Sequence, residues 1–122
     1  MKRFRGFTLA EALITCSIAA LLAMTALVSV LEYHHRANAQ ACRAQQQLLY
    51  FSVLEYASDH GLTYGDTVAL TNMIPTYWHQ PSSGVCPACN QPFGTMFTVG
   101  VVPTCPAGET DHVWKPDEEP GL

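Results

Sequence analysis

The clearest pattern in the sequence is a long apolar run close to the N-terminus. Residues 12–31 contain no charge, proline or glycine. At 1.5 Å per residue, a helix of this length matches the roughly 30 Å hydrocarbon core of a bilayer. Three basic residues precede the run: Lys2, Arg3 and Arg5. On the other flank the charges of Glu32 and Arg36 offset each other, so the pattern predicts a membrane-spanning helix with its N-terminus in the cytoplasm.

The helical pattern continues beyond the apolar run. Residues 32–60 contain no proline or glycine and are mostly good helix formers, and Gly61 is the first plausible stop. At 100° per residue this segment shows two apolar stripes. The first stripe contains Tyr33, Ala37, Ala41, Ala44, Leu48 and Phe51, and the second contains Cys42, Leu49, Val53 and Tyr56. Two stripes indicate two partners, the protein's own globular part and the helices of neighbouring subunits, while the alternative is one wide core face.

After Gly61 the chain breaks into short segments separated by glycine and proline. In chain order they predict a helical turn from Asp66 or Thr67 to Met73 ended by Pro75, a loop over residues 80–84, a strand over residues 95–102 kinked at Gly100, and a second strand over residues 112–114. The tail from Lys115 is acidic and is expected to be solvated. So short a subdomain buries little surface, so we expect it to depend on the long helix and on cross-links.

Composition narrows the function classes. The 122 residues suffice for a single small domain, only 13% are charged, and the formal net charge is −4. Because no run of lysine or arginine follows the first five residues, the charge pattern predicts no nucleic-acid binding. No Ser/His/Asp order, phosphate loop or paired-carboxylate motif is present in the sequence, so no enzyme and no cofactor are predicted.

Glu11 distinguishes three interpretations of the N-terminus. A secretory signal peptide would be cut after the small residues 37–39, but signal-peptide apolar cores run about 7 to 15 residues and this one is longer. A plain membrane anchor gives no reason for Glu11, because an ionisable side chain in an apolar span costs about 2.5 to 3.5 kcal/mol. The third interpretation accounts for both the basic leader and the acid.

The segment Arg5-Gly6-Phe7-Thr8-Leu9-Ala10-Glu11, with the apolar run behind it, closely resembles the class III signal of type IV pilins and type II secretion pseudopilins. The resemblance implies that prepilin peptidase cleaves after Gly6 and that Phe7 becomes the N-methylated first residue. It also implies that Glu11 pairs with the Phe7 amine of a neighbouring subunit during assembly. An isolated buried charge would thereby become an assembly contact.

The same resemblance implies an α+β, pilin-like fold: one long N-terminal helix, membrane-spanning in its inner half, with a small antiparallel β subdomain packed on its outer half. We expect a leader over residues 1–6, a transmembrane and assembly segment over 7–31, the outer half of the helix over 32–60, and an extracytoplasmic subdomain with an acidic tail over 61–122. The implied location is the bacterial inner membrane and then an extracytoplasmic filament. The implied partners are other pilin-like subunits, prepilin peptidase and an inner-membrane assembly platform.

The five cysteines leave several arrangements open. Cys16 lies in the apolar span, where a small hydrophobe is expected. A looser resemblance connects this region with a terminal motif of short pilin-like proteins. The positions of that motif would be filled by Cys86-Pro87, Phe97, Cys105 and His112, with residues 88–93 as an insertion. It favours a Cys86–Cys105 disulfide, leaving Cys89 free or joined to Cys42. Disulfides persist outside the cytoplasm.

Two metal sites and a redox pair are the alternatives for the same region. Zinc bound by Cys86, Cys89, Cys105 and His112 would use a Cys-x2-Cys knuckle, although the second half is loosely spaced. The Cys86–Cys89 pair lacks the helix start that a thioredoxin-type redox site needs. Glu109, Asp111 and the tail acids could hold calcium, but they lack the required spacing.

The sequence therefore predicts a structural prepilin-like subunit that is processed and polymerised into a type IV pilus or a type II secretion pseudopilus. The alternative is a monomeric, single-pass, membrane-anchored binding module, stabilised in one version by zinc.

Overall fold

A computed structural model describes residues 6–118 and contains one long α-helix, α1 (Leu9–His60). The helix ends where the sequence predicts, because Gly61 adopts a left-handed φ of 68° that an L side chain resists. The Leu62 N–H then donates to the Ala57 carbonyl at 2.9 Å, the bond that closes a Schellman cap. The prediction of a single helix to about His60 is confirmed.

The chain forms two compact units, the first ending at His34 and the second beginning at His35. In the first unit the large apolar side chains of α1 are exposed along its whole apolar run. By length and composition alone, α1 qualifies as a candidate membrane span, and none of its most apolar window is buried. Apolar exposure of this extent is what a lipid environment accommodates.

The second unit contains a two-stranded antiparallel sheet. Strand β1 (Thr67–Ala69) pairs with β2 (Met96–Thr98), and Val68 lies opposite Phe97. The short helix α2 (Leu70–Met73) follows β1 directly, and a 3₁₀ turn occupies Thr110–His112. The long helix with a small antiparallel sheet confirms the predicted α+β, pilin-like fold.

Details of the β region differ from the sequence-based expectation. The predicted strand over residues 95–102 shortens to β2, and Gly100 lies in the turn after it with a φ of 84°. The partner of β2 is β1, at the start of a segment predicted as helical, and the helical turn begins only at Leu70. Residues 112–114 form no strand, because the Trp114 N–H donates to Gln46 Oε1 of α1 at 2.7 Å instead of to a sheet.

The core of the second unit lies against one face of α1. The buried residues of α1 are Ala39, Cys42, Gln46, Leu49, Val53 and Ala57. This face contains three members of the second predicted stripe, whereas Leu48 and Phe51 of the first stripe are exposed. The helix therefore packs its own subdomain on the second stripe and leaves Leu48 exposed, while the half-exposed Phe51 keeps a ring contact with Trp114.

Candidate processing site and buried cysteine–histidine cluster

The start of α1 is closed by a reciprocal pair of hydrogen bonds between Thr8 and Glu11. The Thr8 N–H donates to Glu11 Oε2 at 3.0 Å, and the Glu11 N–H donates to Thr8 Oγ1 at 3.3 Å. This arrangement is a capping box, which satisfies backbone donors that the first helical turn leaves free. Glu11, expected from the resemblance to act in assembly, thus also has a local role in capping the helix, for which the Thr-x-x-Glu spacing is the sequence signature.

The expected cleavage site precedes this cap and is open. Gly6 and Phe7 are exposed, Phe7 to 79%. Among the described residues, no atom lies within 4 Å of the position that a Cβ at Gly6 would take. Packing among residues 6–118 thus places no demand for glycine at Gly6.

Hydroxyl groups within the apolar run are satisfied inside the helix. Thr15 Oγ1 donates to the Glu11 and Ala12 carbonyls, and Ser17 Oγ donates to the Leu13 carbonyl at 2.8 Å. Thr25 and Ser29 make equivalent bonds to carbonyls one turn back. Hydrocarbon offers no hydrogen-bond partner, so this internal pairing lets polar side chains face lipid at low cost. Cys16, on the same run, is exposed.

Three cysteines and one histidine converge in the interior of the second unit. Cys42 comes from α1, Cys86 and Cys105 from loops, and His112 from the 3₁₀ turn. Cys105 Sγ lies 3.2 Å from Cys42 Sγ and 3.5 Å from Cys86 Sγ. His112 Nδ1 lies 3.7 Å from Cys105 Sγ and 3.9 Å from Cys86 Sγ. All four residues are buried, and we call them the CCCH cluster.

The CCCH cluster overlaps with the predicted cysteine sites but differs from the predicted zinc set by one residue. Cys42 occupies the place expected for Cys89, which lies half-buried in the turn over residues 87–89. That turn is closed by the Asn90 N–H donating to the Cys86 carbonyl at 2.8 Å. Cys86 and Cys105 are adjacent, as the predicted disulfide requires, and all five cysteines of the chain are free thiols in the structure.

The thiols of the cluster differ in acidity. Burial raises the pKa of Cys42 and of Cys105. Burial also opposes ionisation of Cys86, but hydrogen bonds with His112 and with the backbone of Ala88 outweigh it and lower the pKa of Cys86 to about 6. The pKa of Cys86 is thus shifted in the opposite direction to those of Cys42 and Cys105.

A carboxylate stands behind the histidine of the cluster. Glu109 Oε2 lies 2.9 Å from His112 Nε2, which is within ion-pair range. The contact does not meet hydrogen-bond geometry, and Nε2 has no hydrogen-bond partner among the described residues. Asp111 Oδ2 lies 3.1 Å from His35 Nε2. Glu109 and Asp111, the candidate calcium ligands, thus lie with His35 in an exposed group. The tail acid Glu118 pairs with Lys115 at 3.3 Å, and residues 119–122 lie outside the described residues.

Comparison with known proteins identifies the N-terminal segment. Residues 1–27 match the family model of the prokaryotic N-terminal methylation motif. No curated protein and no solved structure matches the chain. The matched residues include Gly6, Phe7 and Glu11, the three positions that the resemblance singled out. Residues 1–27 therefore carry the class III prepilin signal of type IV pilins and pseudopilins.

Proposed function

We propose that the chain is a structural subunit, processed by prepilin peptidase and polymerised with other pilin-like subunits into a type IV pilus or a type II secretion pseudopilus. The observation that carries this proposal is the prepilin signal over residues 1–27. The open segment at Gly6 and the unpartnered apolar side chains of α1 support it. The subunit is stored in the inner membrane with its N-terminus in the cytoplasm, where an assembly platform extracts it into the filament.

Processing changes the charge of the membrane segment. Hydrolysis of the Gly6–Phe7 peptide bond consumes one water, leaves a carboxylate on Gly6 and frees the amine of Phe7. The amine then takes the methyl group of a sulfonium methyl donor, which leaves as a thioether, and loses one proton. The removed leader contains three basic residues, so the formal net charge falls from −4 to −7. The new amine is the cation closest to Glu11 in the mature sequence.

Assembly then uses the carboxylate of Glu11. The capping box engages its Oε2 atom, so Oε1 remains for the Phe7 amine of a neighbouring subunit. Pairing offsets the roughly 2.5 to 3.5 kcal/mol that an ionisable group costs in an apolar span. The exposed apolar residues of α1 then pack against the helices of adjacent subunits, where they leave lipid without meeting water.

The test is the N-terminal sequence and intact mass of the mature chain. We expect N-methylated Phe7 as the first residue in the wild type and an uncut precursor in Gly6→Val. Ala10→Val, which adds similar bulk at an exposed position beyond the cut, is the matched control and should be processed normally. A chain that begins at Gln40 would indicate a secretory signal peptide, and a wild-type chain that keeps its leader would indicate a plain anchor; either result overturns the proposal.

A further inference from the structure

Four buried donor atoms from four separate segments converge in the second unit. Cys42 is contributed by the helix, Cys86 and Cys105 by loops, and His112 by the 3₁₀ turn. We propose that the CCCH cluster is a structural zinc site that fastens these loops to α1. The inference does not depend on cleavage after Gly6 or on polymerisation, because every ligand lies in the second unit.

The spacing of the donor atoms fits a tetrahedral metal. Zinc–sulfur bonds of about 2.3 Å set an edge of about 3.8 Å between two sulfurs of a regular tetrahedron. The observed sulfur–sulfur distances are 3.2 and 3.5 Å, and the sulfur–nitrogen distances are 3.7 and 3.9 Å. All four atoms lie within 4.8 Å of one another. Small adjustments of the side chains would therefore complete the coordination sphere.

A disulfide satisfies this group less well than a metal does. A disulfide between Cys105 and either neighbour would bring two sulfurs to about 2.05 Å and use only those two. The third thiol and the imidazole would then stay buried with fewer partners, which is costly for polar groups. Zinc uses all four donors at once.

The types of donor atom in the CCCH cluster favour zinc, and the burial of the cluster favours a structural role for it. Three thiolates and one imidazole form one of the common structural zinc sets, and soft sulfur ligands disfavour calcium and magnesium. Because Cys42, Cys86 and His112 are fully buried, the cluster leaves no open position for a substrate. A bound metal itself promotes loss of the three thiol protons.

Glu109 completes the arrangement from the outer side of the histidine. With Nδ1 turned to the sulfurs, Nε2 points to the side on which Glu109 Oε2 lies 2.9 Å away. Histidines that bind zinc nearly always have a carboxylate, carbonyl or water at the second ring nitrogen, which fixes the tautomer and strengthens the ligand. In the structure the two atoms are within ion-pair range but outside hydrogen-bond geometry, so a small rotation would let Nε2–H donate to Glu109 while Nδ1 faces the sulfurs.

Such a site explains how a small subdomain is held together. The sheet has only two three-residue strands, and α2 has four residues. Regular structure of this extent provides little stability, and small domains commonly add a metal or a disulfide. The cluster joins α1 to loops up to 70 positions further along the chain, so bound zinc removes much of the freedom of the unfolded state.

The experiment uses the full chain purified from membranes in detergent without chelator. Metal analysis should give about one zinc per chain, and intact mass after alkylation should show no disulfide. Cobalt exchanged into the site should show the charge-transfer absorption of thiolate ligands. Cys42→Ser should lose the zinc, whereas Cys89→Ser, the matched control, should retain it.

A second variant separates a lost ligand from a failed fold. Glu109→Gln leaves all four ligands in place and should weaken zinc affinity about 10- to 100-fold, because it removes the charge behind His112. Glu118→Gln changes an equivalent surface acid away from the cluster and should not alter the affinity. Native protein with a disulfide at Cys105 and no zinc would overturn the proposal. So would zinc that survives Cys42→Ser and is lost in Cys89→Ser.

Discussion

Leu48 and Leu49 are consecutive residues of α1 with opposite expected roles. Leu49 is 0% exposed in the core of the second unit, and Leu48 is 60% exposed. Leu→Ala at a fully buried site costs about 2 to 5 kcal/mol, since the cavity adds to the lost transfer energy. At an exposed helix position the same change stays within about 0.5 kcal/mol. We expect Leu49→Ala to destabilise the fold and Leu48→Ala to leave the stability nearly unchanged.

The assay is denaturant unfolding of the full chain in detergent, followed by tryptophan fluorescence. Both tryptophans, Trp78 and Trp114, lie in the second unit, and Trp78 is buried with its Nε1–H donating to the Ser82 carbonyl at 2.6 Å. The signal therefore reports loss of this core and not events in the apolar run. Because both variants start from leucine and end at alanine, their difference isolates burial from helix propensity.

Leu48→Ala, the variant with the smaller effect on stability, should have a clear effect on filament yield. If neighbouring subunits pack on the first predicted stripe, which contains Leu48, then Leu48→Ala lowers the yield of filaments while the amount of subunit in the membrane stays normal. Equal destabilisation by the two substitutions would refute the assignment of the stripes. Normal filament yield in Leu48→Ala would refute the role of this position in assembly while leaving the fold intact.

Substitutions at three further positions test other parts of the structure. Glu11→Gln keeps a side chain able to close the capping box but removes the charge, so we expect normal insertion and cleavage with a large loss of filament yield; normal yield would exclude charge pairing. Gly61→Ala should lower the free energy of unfolding by about 1 kcal/mol through its positive φ, and Gly61→Asn by less, as denaturant titration would show. The hydrogen bond from Tyr77 Oη to Asp59 at 2.7 Å raises the pKa of Tyr77, so its stabilising effect is present below the ordinary tyrosine pKa and is lost as pH rises through the raised value. Asp59→Asn should bring the pKa of Tyr77, measured by phenolate absorbance, back towards the ordinary value.

The long helix could be predicted from the sequence because its interior, its start and its end all have residues that favour one continuous helix. The segment has no proline or glycine over residues 9–60, a Thr-x-x-Glu cap at its start and a glycine just past its end. The buried stripe was also visible, since helical periodicity places Cys42, Leu49 and Val53 on one face. The sequence does not show which of the two stripes the subdomain covers, because this depends on the path that the loops after Gly61 take.

The β region was predictable only in outline. Whether a segment of three residues forms a strand depends more on the segment that lies beside it than on the β-propensity of its own side chains. Thr67–Ala69 precedes a helical turn without a break, and its pairing is extended by the Val99 N–H donating to the Asp66 carbonyl at 2.8 Å. Residues 112–114 have strand-like composition, yet Gln46 of the helix takes the Trp114 N–H.

The composition of the CCCH cluster differs from what the spacing of cysteines along the chain predicts. Cys-x2-Cys favours Cys89 as the partner of Cys86, because that rule considers only neighbours in sequence. In the structure the turn at residues 87–89 leaves Cys89 half-buried, and Cys42, on the buried stripe with Leu49, lies against Cys105 instead. A cysteine on the core face of a helix that must anchor a weakly structured subdomain was thus the stronger signal. Combining the stripe with the loop cysteines would have added Cys42 to the candidates, but only the fold separates Cys89 from the cluster.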